Sequence, residues 1–469
     1  MATRPVHTIN VMEHCRVSPP AGSVAETSLP LTFFDLIWLR VNVVVRSVSF
    51  FELSDCKVQT HLPYSKQSLS LALQRFYPLA GALRLSPQTG EYEIHYTDGD
   101  SVPLTVVESD SDFYELVMDH PRDMAEFLPL VAELPASDLI SLQLTVITDS
   151  GFSIGLAVPH VVADGHGIMN FMRHWGSICR LGHESDSMSL LLPLHDRALI
   201  PDPNGLKRIF LDHVKMAMAK QGQNQQNLWP VQAQSQHMVR ATFVLTRAKI
   251  EELRQRVTMA REGIMEEGGE KKPIHVSSFV LMCARVWVCL TKARAVEGDQ
   301  MVLFGFGVDC RGRMRMAQPI PATYFGNCVT MCIVSARGSD IAMGDDADGG
   351  GGARFMAACE AISGAIQRFD DDDGVLGRSD GWFRRLLSIM EAGERIISVA
   401  GSPRLGFYDM DFGSGRPSKV VVTSIEQRGG ISLAESRDDA GRGLEVGVAL
   451  PKHEMEQFTY YYDKGLKNY

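Results

Sequence analysis

Position 160 opens a short run, His160-Val-Val-Ala-Asp164-Gly165-His166-Gly167, that brings a carboxylate between two imidazoles. An imidazole titrating near pH 6.5 suits the removal of a hydroxyl proton at neutral pH. His-x-x-x-Asp also arises by chance in many chains, and a lone histidine is more often structural than catalytic, so the setting decides. Two alternating runs, Gln143 to Thr148 and Phe152 to Val158, joined at Asp149-Ser150-Gly151, read as a hairpin just ahead of it. Beyond it, Ile168, Phe171, Met172, Trp175, Ile178 and Cys179 share one helical face. His160 therefore stands where a strand ends and glycine-permitted turns lead into a helix. Loops fixed on rigid elements in this way often carry function.

Other chemistries lack their residues. Cys179, Cys283 and Cys289 fall in apolar helical patterns that suit inert core thiols. No GxGxxG or phosphate-binding loop occurs, which removes the usual signature of dinucleotide or phosphoryl chemistry. The 9 cysteines are dispersed, with no CxxC pair and no Cys/His cluster at metal spacing, so reduced thiols and no metal are expected. A net charge of −10 over 469 residues argues against a nucleic-acid surface, though not against a local basic patch for an anionic substrate. Residues 1–20 show no signal segment, and Leu29 to Leu53 is interrupted by Asp35, Arg40, Asn42 and Arg46. No membrane span is expected, and the cytoplasm is the expected compartment.

The elements that position the motif can be read in outline. Val6 to Val17 reads as a first strand, and Leu29 to Leu39 as an aromatic stretch near the core. Ser65 has the chemistry of an N-cap ahead of Leu69, Ala72, Leu73 and Phe76. Tyr92 to Tyr96 and Val102 to Val107 alternate as strands. Gly182 to Asn227 is polar, interrupted by a helical pattern at Leu206 to Lys220, and reads as a crossover between two halves. The second half offers strands at Val239 to Leu245, Met301 to Val308, Val420 to Ile425, Ile431 to Ser436 and Leu444 to Leu450. It also offers a helix capped by Thr246 and a buried helix over Ser277 to Arg294. Glu262 to Lys272 is charged and expected at the surface, and Gly338 to Gly352, rich in Gly and Asp, is expected to be a disordered surface loop.

Three stretches give the histidine motif its weight. His160 to Gly165 reads HxxxDG, Asp411-Phe412-Gly413-Ser414-Gly415 reads DFGSG, and Tyr324-Phe325-Gly326-Asn327-Cys328 lies between them. Over essentially its whole length the chain resembles the plant acyl-CoA-dependent acyltransferases of the BAHD family, whose signatures are a mid-chain HxxxDG and a C-terminal DFGWG. Tyr324 to Cys328, with Leu31 to Asp35, Tyr77 to Gly81 and Val399 to Pro403, resembles the branch that acylates anthocyanins and flavonoid glycosides, often with malonyl-CoA. The chain departs from the pattern twice: Ser414 stands where the family has Trp, and Pro159 where many relatives have a second His.

The resemblance implies an α/β protein of two chloramphenicol-acetyltransferase-like domains. Each would be a mixed sheet flanked by helices, with an active-site channel between them. Residues 1–185 would form the first domain, 186–235 a crossover loop and 236–469 the second domain. The implied function is O-acyl transfer from an acyl-CoA, malonyl-CoA in this branch, to a hydroxyl of a flavonoid, anthocyanin or other phenolic glycoside. The implied protein is a monomer without bound cofactor, acyl-CoA being a co-substrate, and has no nucleic-acid or membrane partner. A thioester is already activated, so a base suffices and no covalent enzyme intermediate is required.

His160 is the expected base. Asp164 invites a triad reading, but the resemblance turns it away from substrate toward an arginine, for which Arg311 is the expected partner. Asp411, Gly413 and Gly415 are expected to be structural. Ser277 and Ser278 open a helix, either as N-cap or, by the resemblance, beside the CoA pantetheine or phosphates. Ser402 and Arg404 lie where the hydroxycinnamoyl-shikimate branch carries Thr-Ser-Trp-x-Arg. The sequence Ala400 to Arg404 disfavours a shikimate or quinate acceptor, and Ser402 fits a polar loop as well as a substrate contact. His166 is the expected partner of a malonyl carboxylate, with Arg173 as an alternative cation or a solvated helix face. Two rival readings are a hydroxycinnamoyl-CoA-dependent O- or N-acyltransferase, and a catalytically weak CoA- or phenolic-binding protein on the same scaffold, suggested by Ser414 and Pro159.

Overall fold

Alternation of apolar residues builds two large mixed sheets, and a computed structural model describes them over residues 8–468 apart from 54–57, 149, 182–191, 221–237, 266–275, 315–318, 343–350, 370–378, 426–428 and 439–442. The first sheet runs β1 (Ile9–Val17), β6 (Val102–Ser109), β8 (Ser141–Ile147), β9 (Gly151–Pro159), β3 (Val44–Glu52) and β14 (Lys419–Val422). Only its β6–β8 pair is parallel. β8 and β9 form the expected hairpin, and β9 is buried from end to end, as suits a strand covered on both faces. The second sheet runs β12 (Val329–Arg337), β11 (Met301–Asp309), β13 (Ile396–Ala400), β15 (Ile431–Glu435), β16 (Leu444–Pro451), β10 (Met238–Leu245) and β7 (Arg122–Asp123). β13 is parallel to both of its neighbours. A small antiparallel sheet of β2 (Thr27–Pro30), β5 (Tyr92–Tyr96) and β4 (Ala82–Leu85) stands apart. Each large sheet takes in one strand from the other half of the chain: β14 pairs with β3, and β7 with β10.

The Gly165–Leu181 helix buries the face read from the sequence, Ile168, Phe171, Met172, Trp175 and Ile178, with Cys179 at its margin. It packs on the Val58–Arg75 helix, where the Trp175 indole donates to the Ser65 carbonyl at 3.3 Å and to Ser68 Oγ at 3.2 Å. Ser65 is therefore not an N-cap but lies well inside that helix. In the second half, the Ser278–Ala293 helix is buried from Val280 to Thr291. It packs against the Gly351–Gln367 and Lys452–Asn468 helices. The last of these escapes the sequence reading, although Met455, Phe458 and Tyr462 recur at helical spacing and are buried.

The Gly- and Asp-rich stretch needs correction at both ends. Gly338–Ile341 is a helical turn whose Gly338 N–H donates to Gln300 O at 2.9 Å, with Ile341 buried as its anchor. A Cβ at Gly338 would lie 2.7 Å from Glu297 O, so the glycine serves close packing and not mobility. Gly351 and Gly352 open the Gly351–Gln367 helix, and residues 343–350 lie outside the described residues. Glu262 to Met265 continue the Arg247–Met265 helix, while 266–272 lie outside the described residues. Among the described residues no helix is long and apolar enough to cross a membrane.

Candidate active site

His160 follows β9 directly, and its backbone N–H donates to Val43 O at 2.8 Å, which fixes the loop to the start of β3. Its ring stacks on Trp38, with centroids 3.6 Å apart and planes 20° from parallel. Its Nδ1 lies 3.1 Å from Asn327 Oδ1. The orientation of the Asn327 amide follows from its other contacts. Nδ2 sits 2.9 Å from Asp35 Oδ1, 2.9 Å from the His160 carbonyl and 3.2 Å from the Val161 carbonyl. All three are acceptors, so the amino group must face them and Oδ1 must face the imidazole. Oδ1 only accepts, so Nδ1 carries the ring proton and Nε2 keeps a lone pair. Burial lowers the His160 pKa below its ordinary value, outweighing the opposite pull of Asp164, Asn327 and Asp35. The ring is thus held neutral at physiological pH with Nε2 able to accept a proton.

The helix Phe33–Val41 supplies both Trp38 and Asp35. Thr32 is its N-cap in a capping box, with Asp35 N donating to Thr32 Oγ1 at 3.4 Å and Thr32 N donating to Asp35 Oδ2 at 2.8 Å. Asp35, fully buried, accepts both the backbone N–H and the amide of Asn327. The sequence reading saw this stretch as apolar packing and, in Leu31 to Asp35, as a resemblance to the anthocyanin-acylating branch, without a role for Asp35. Thr32-x-x-Asp35 was the signal that a helix begins there, but nothing local links it to Asn327, which follows 292 residues later.

Asp164 faces away from His160 Nδ1 and holds the loop. Its carboxylate meets Arg311 two-pronged, Oδ2 to Nη1 at 2.9 Å and Oδ1 to Nη2 at 3.1 Å. It also accepts N–H groups from His166 and Gly167, in the manner of an N-cap, and from Cys328 at 2.9 Å. Burial works against ionisation, but the Arg311 guanidinium and the Cys328 amide outweigh it, and the Asp164 pKa falls below the ordinary carboxylate value. The stretch Tyr324 to Cys328 is explained residue by residue. Tyr324 Oη accepts from Arg197 at 3.0 Å, and Phe325 packs on Phe76 and His195. A Cβ at Gly326 would fall 1.6 Å from Arg197 Nη1, so only glycine leaves room for that guanidinium, 3.7 Å from Asp35. Asn327 and Cys328 then reach His160 and Asp164.

Asp411 Oδ1 accepts the Gly413 and Gly415 N–H groups at 2.8 and 3.0 Å, and both glycines have positive φ, 101° and 80°. Phe412 is buried edge-on against Trp175 and Phe51, and a Cβ at Gly176 would meet Asp411 O at 2.8 Å. This turn therefore clamps the far end of the helix that begins after Asp164. Ser414 points to an open cleft of about 770 Å³ walled by Glu52, Arg416, Arg437 and Asp438, so the turn is held by its neighbours and not by the residue at 414.

Ser277 caps its helix, accepting Val280 N–H at 3.2 Å, and Ser278 is the first helical residue. Ser402 Oγ accepts from Arg404 N at 3.3 Å in a turn where Arg404 is exposed. His166 Nε2 lies 3.6 Å from Asp309 Oδ2, and burial lowers its pKa despite Asp164. Arg173 is not on a solvated face: its Nη1 donates to Leu405 O at 2.7 Å and holds the 402–409 loop to the helix. Cys283 and Cys289 are buried, and burial pushes the Cys283 thiol well up, as inert core thiols require.

A neutral imidazole with a free Nε2, held at the end of a central strand by partners from both halves of the chain, is the equipment of an acyltransferase acting on a pre-activated thioester. A model of the Transferase family matches residues 7–463. Phenolic glucoside malonyltransferase 1 of Arabidopsis thaliana is 34% identical over 98% of both chains. The coumaroyl-CoA:anthocyanidin 3-O-glucoside-6''-O-coumaroyltransferase 2 of the same plant is also 34% identical over 98% of both. The malonyl-coenzyme A:anthocyanin 3-O-glucoside-6''-O-malonyltransferase of Dahlia pinnata is 31% identical over 99% of this chain and 98% of that one. Vinorine synthase shares the fold, with a TM-score of 0.67, 18% identity and 96% of each chain covered. So does TRI101 of F. sporotrichioides, solved with coenzyme A and T-2, at a TM-score of 0.62, 15% identity and 94% and 99% coverage. The chain belongs to the Transferase family, the BAHD acyltransferases, and is an acyl-CoA-dependent acyltransferase with acyl-CoA as its co-substrate.

Proposed function

We propose that the protein transfers a malonyl group from malonyl-CoA to a sugar hydroxyl of a phenolic glycoside, with His160 as general base. The acceptor oxygen bonds to the thioester carbonyl carbon as its proton passes to Nε2. Collapse of the tetrahedral species expels the CoA thiolate, which recovers the proton from the imidazolium. The orientation of Asn327, which leaves Nε2 as the free ring nitrogen, is the observation that supports this most directly. Asp164 and Arg311 hold the loop, and Asp411, Gly413 and Gly415 hold the helix behind it. Ser277 and Ser278 are assigned to CoA, and Ser402, Arg404 and His166 to substrate. On this reading residues 1–185 and 236–469 are the two domains and 186–235 the crossover loop, with the reaction in a channel between the halves. We assign the protein as a cytoplasmic monomer.

A malonyl carboxylate leaving water needs a donor, and we assign that role to His166, whose Nε2 lies 3.6 Å from Asp309 Oδ2. Its depressed pKa makes this a neutral N–H donor at physiological pH. Measuring kcat/KM with malonyl-CoA and coumaroyl-CoA on one flavonoid glucoside tests the donor assignment. Malonyl-CoA should be preferred, and His166→Leu should shrink that preference. A wild-type preference for coumaroyl-CoA would move the assignment to the coumaroyl-transferring relatives.

A further inference from the structure

The guanidinium of Arg197 is buried without the bonds that would make it stabilising. The side chain is 5% exposed, and Nη1 donates to Tyr324 Oη at 3.0 Å and lies 3.7 Å from Asp35 Oδ2. Nε and Nη2 are buried and have no partner among the described residues. An arginine held this way costs stability, and an apolar side chain of its size would fold as well or better. Yet the surroundings are shaped to take it. A Cβ at Gly326 would overlap the guanidinium. Asp196 caps the turn Arg197–Leu199 by accepting Ala198 N–H at 2.9 Å. Leu194 N donates to Thr323 O and Phe325 N to Leu194 O, both at 2.9 Å, so this segment is laced to the turn that carries Asn327. A costly side chain in a fitted place points to a duty other than stability.

The two oxygens of Asp35 divide their contacts. Oδ2 accepts from Thr32 N at 2.8 Å and faces Arg197. Oδ1 accepts from Asn327 N at 3.1 Å and from Asn327 Nδ2 at 2.9 Å. Asn327 Oδ1 then meets His160 Nδ1 at 3.1 Å. The chain Arg197, Asp35, Asn327, His160 thus runs cation, anion, amide, imidazole. A carboxylate bonded to the amino side of an amide makes its carbonyl side a stronger acceptor, as hydrogen bonds in series polarise one another. That carbonyl supports the imidazolium formed when Nε2 takes the acceptor proton. We propose that Arg197 and Asp35 are positioning residues for His160: Arg197 holds Asp35 and the Tyr324–Asn327 turn in place, and Asp35 acts through the Asn327 amide to fix the ring tautomer and support its positive charge. This rests on the acyl-transfer reading of the site. Neither residue touches the reacting atoms.

Arg197→Met keeps the length of the side chain and removes its charge. With whichever acyl-CoA and acceptor the wild type turns over fastest, kcat should fall about tenfold while KM for acyl-CoA stays within about twofold, the scale of loss when an orienting partner behind a functional imidazole is removed. Arg197→Lys keeps the charge at a site that is not bidentate, and should stay within about threefold of wild type. Because Arg197 acts through Asn327, adding Arg197→Met to Asn327→Ala should lower kcat no further. Unchanged kcat in folded Arg197→Met would overturn the proposal, and so would a further independent fall in the double variant. If Arg197→Met does not fold, Tyr324→Phe removes only the hydroxyl that accepts from Nη1; kcat should fall about threefold, again not in the Asn327→Ala background, and no fall would overturn the proposal. Tautomer state is read without turnover. In protein labelled with ¹⁵N-histidine, wild-type His160 should show one neutral tautomer, protonated at Nδ1, and Arg197→Met or Tyr324→Phe should show exchange between the two. A single Nδ1–H tautomer in wild type and variant alike would equally sink the assignment, whereas absence of turnover with every donor would count against the acyl-transfer reading alone.

Discussion

Asp164→Asn should weaken the folded state more than the loss of a single hydrogen bond. The carboxylate accepts five N–H groups, two of them from Arg311, and is 1% exposed while Arg311 is 7% exposed. An asparagine presents one oxygen and one amino group. Whichever way it turns, the amino group confronts N–H donors: Arg311, His166 and Gly167 on one side, or Arg311 and Cys328 on the other. The substitution also leaves the buried guanidinium with Asp309 as its remaining anion, at 3.1 Å. Breaking a buried pair in this way costs about 3–5 kcal/mol. That is roughly two to four powers of ten in the folding equilibrium, at about 1.4 kcal/mol per tenfold. Urea unfolding followed by tryptophan fluorescence reads this as a lower midpoint at similar slope. A change under about 1 kcal/mol would refute the reasoning, because the pair would then contribute no more than an exposed one.

Asn327→Ala should lower kcat by about ten- to a hundredfold in a folded protein, because His160 loses the acceptor that fixes its tautomer and orientation; wild-type kcat in that variant would mean the ring needs no such partner. The pH profile follows from the depressed His160 pKa. The neutral ring is the active form, so a lowered pKa keeps it active into mild acid. The acid limb of kcat/KM should have its midpoint below pH 6.5, and a midpoint above 7 would contradict the burial argument.

Much of this site was legible because the family signatures are local. His160 to Gly165, Tyr324 to Cys328 and Asp411 to Gly415 each form one turn or loop, and the pairing of Asp164 with Arg311 was expected before the fold was seen. The supporting network was not legible. Asp35 and Trp38 sit in an apolar segment whose pattern signals burial and a helix start but no partner for either side chain, and the contact of Asp35 with Asn327 joins distant parts of the chain. The strand exchange was hidden for the same reason. Arg122–Asp123 is a two-residue strand, too short for any alternation, and Val420 to Ile425, of which the strand Lys419–Val422 covers the first part, reads as a strand without saying which sheet it enters. Ser65 was misplaced because serine chemistry at a helix start and inside a helix look alike when the true start lies upstream. The Gly338 turn was misplaced because composition cannot distinguish glycine for mobility from glycine for close packing.

The central claim is that His160 Nε2 takes the acceptor proton, and the most direct test compares wild type with His160→Ala. CoA thiol release is followed with malonyl-CoA and a phenolic glucoside, and thermal unfolding is measured alongside. The account predicts glucoside-dependent thiol release by the wild type and a loss of at least ~10²-fold in kcat in the variant, with the fold retained. A folded His160→Ala protein turning over at close to the wild-type rate would contradict it.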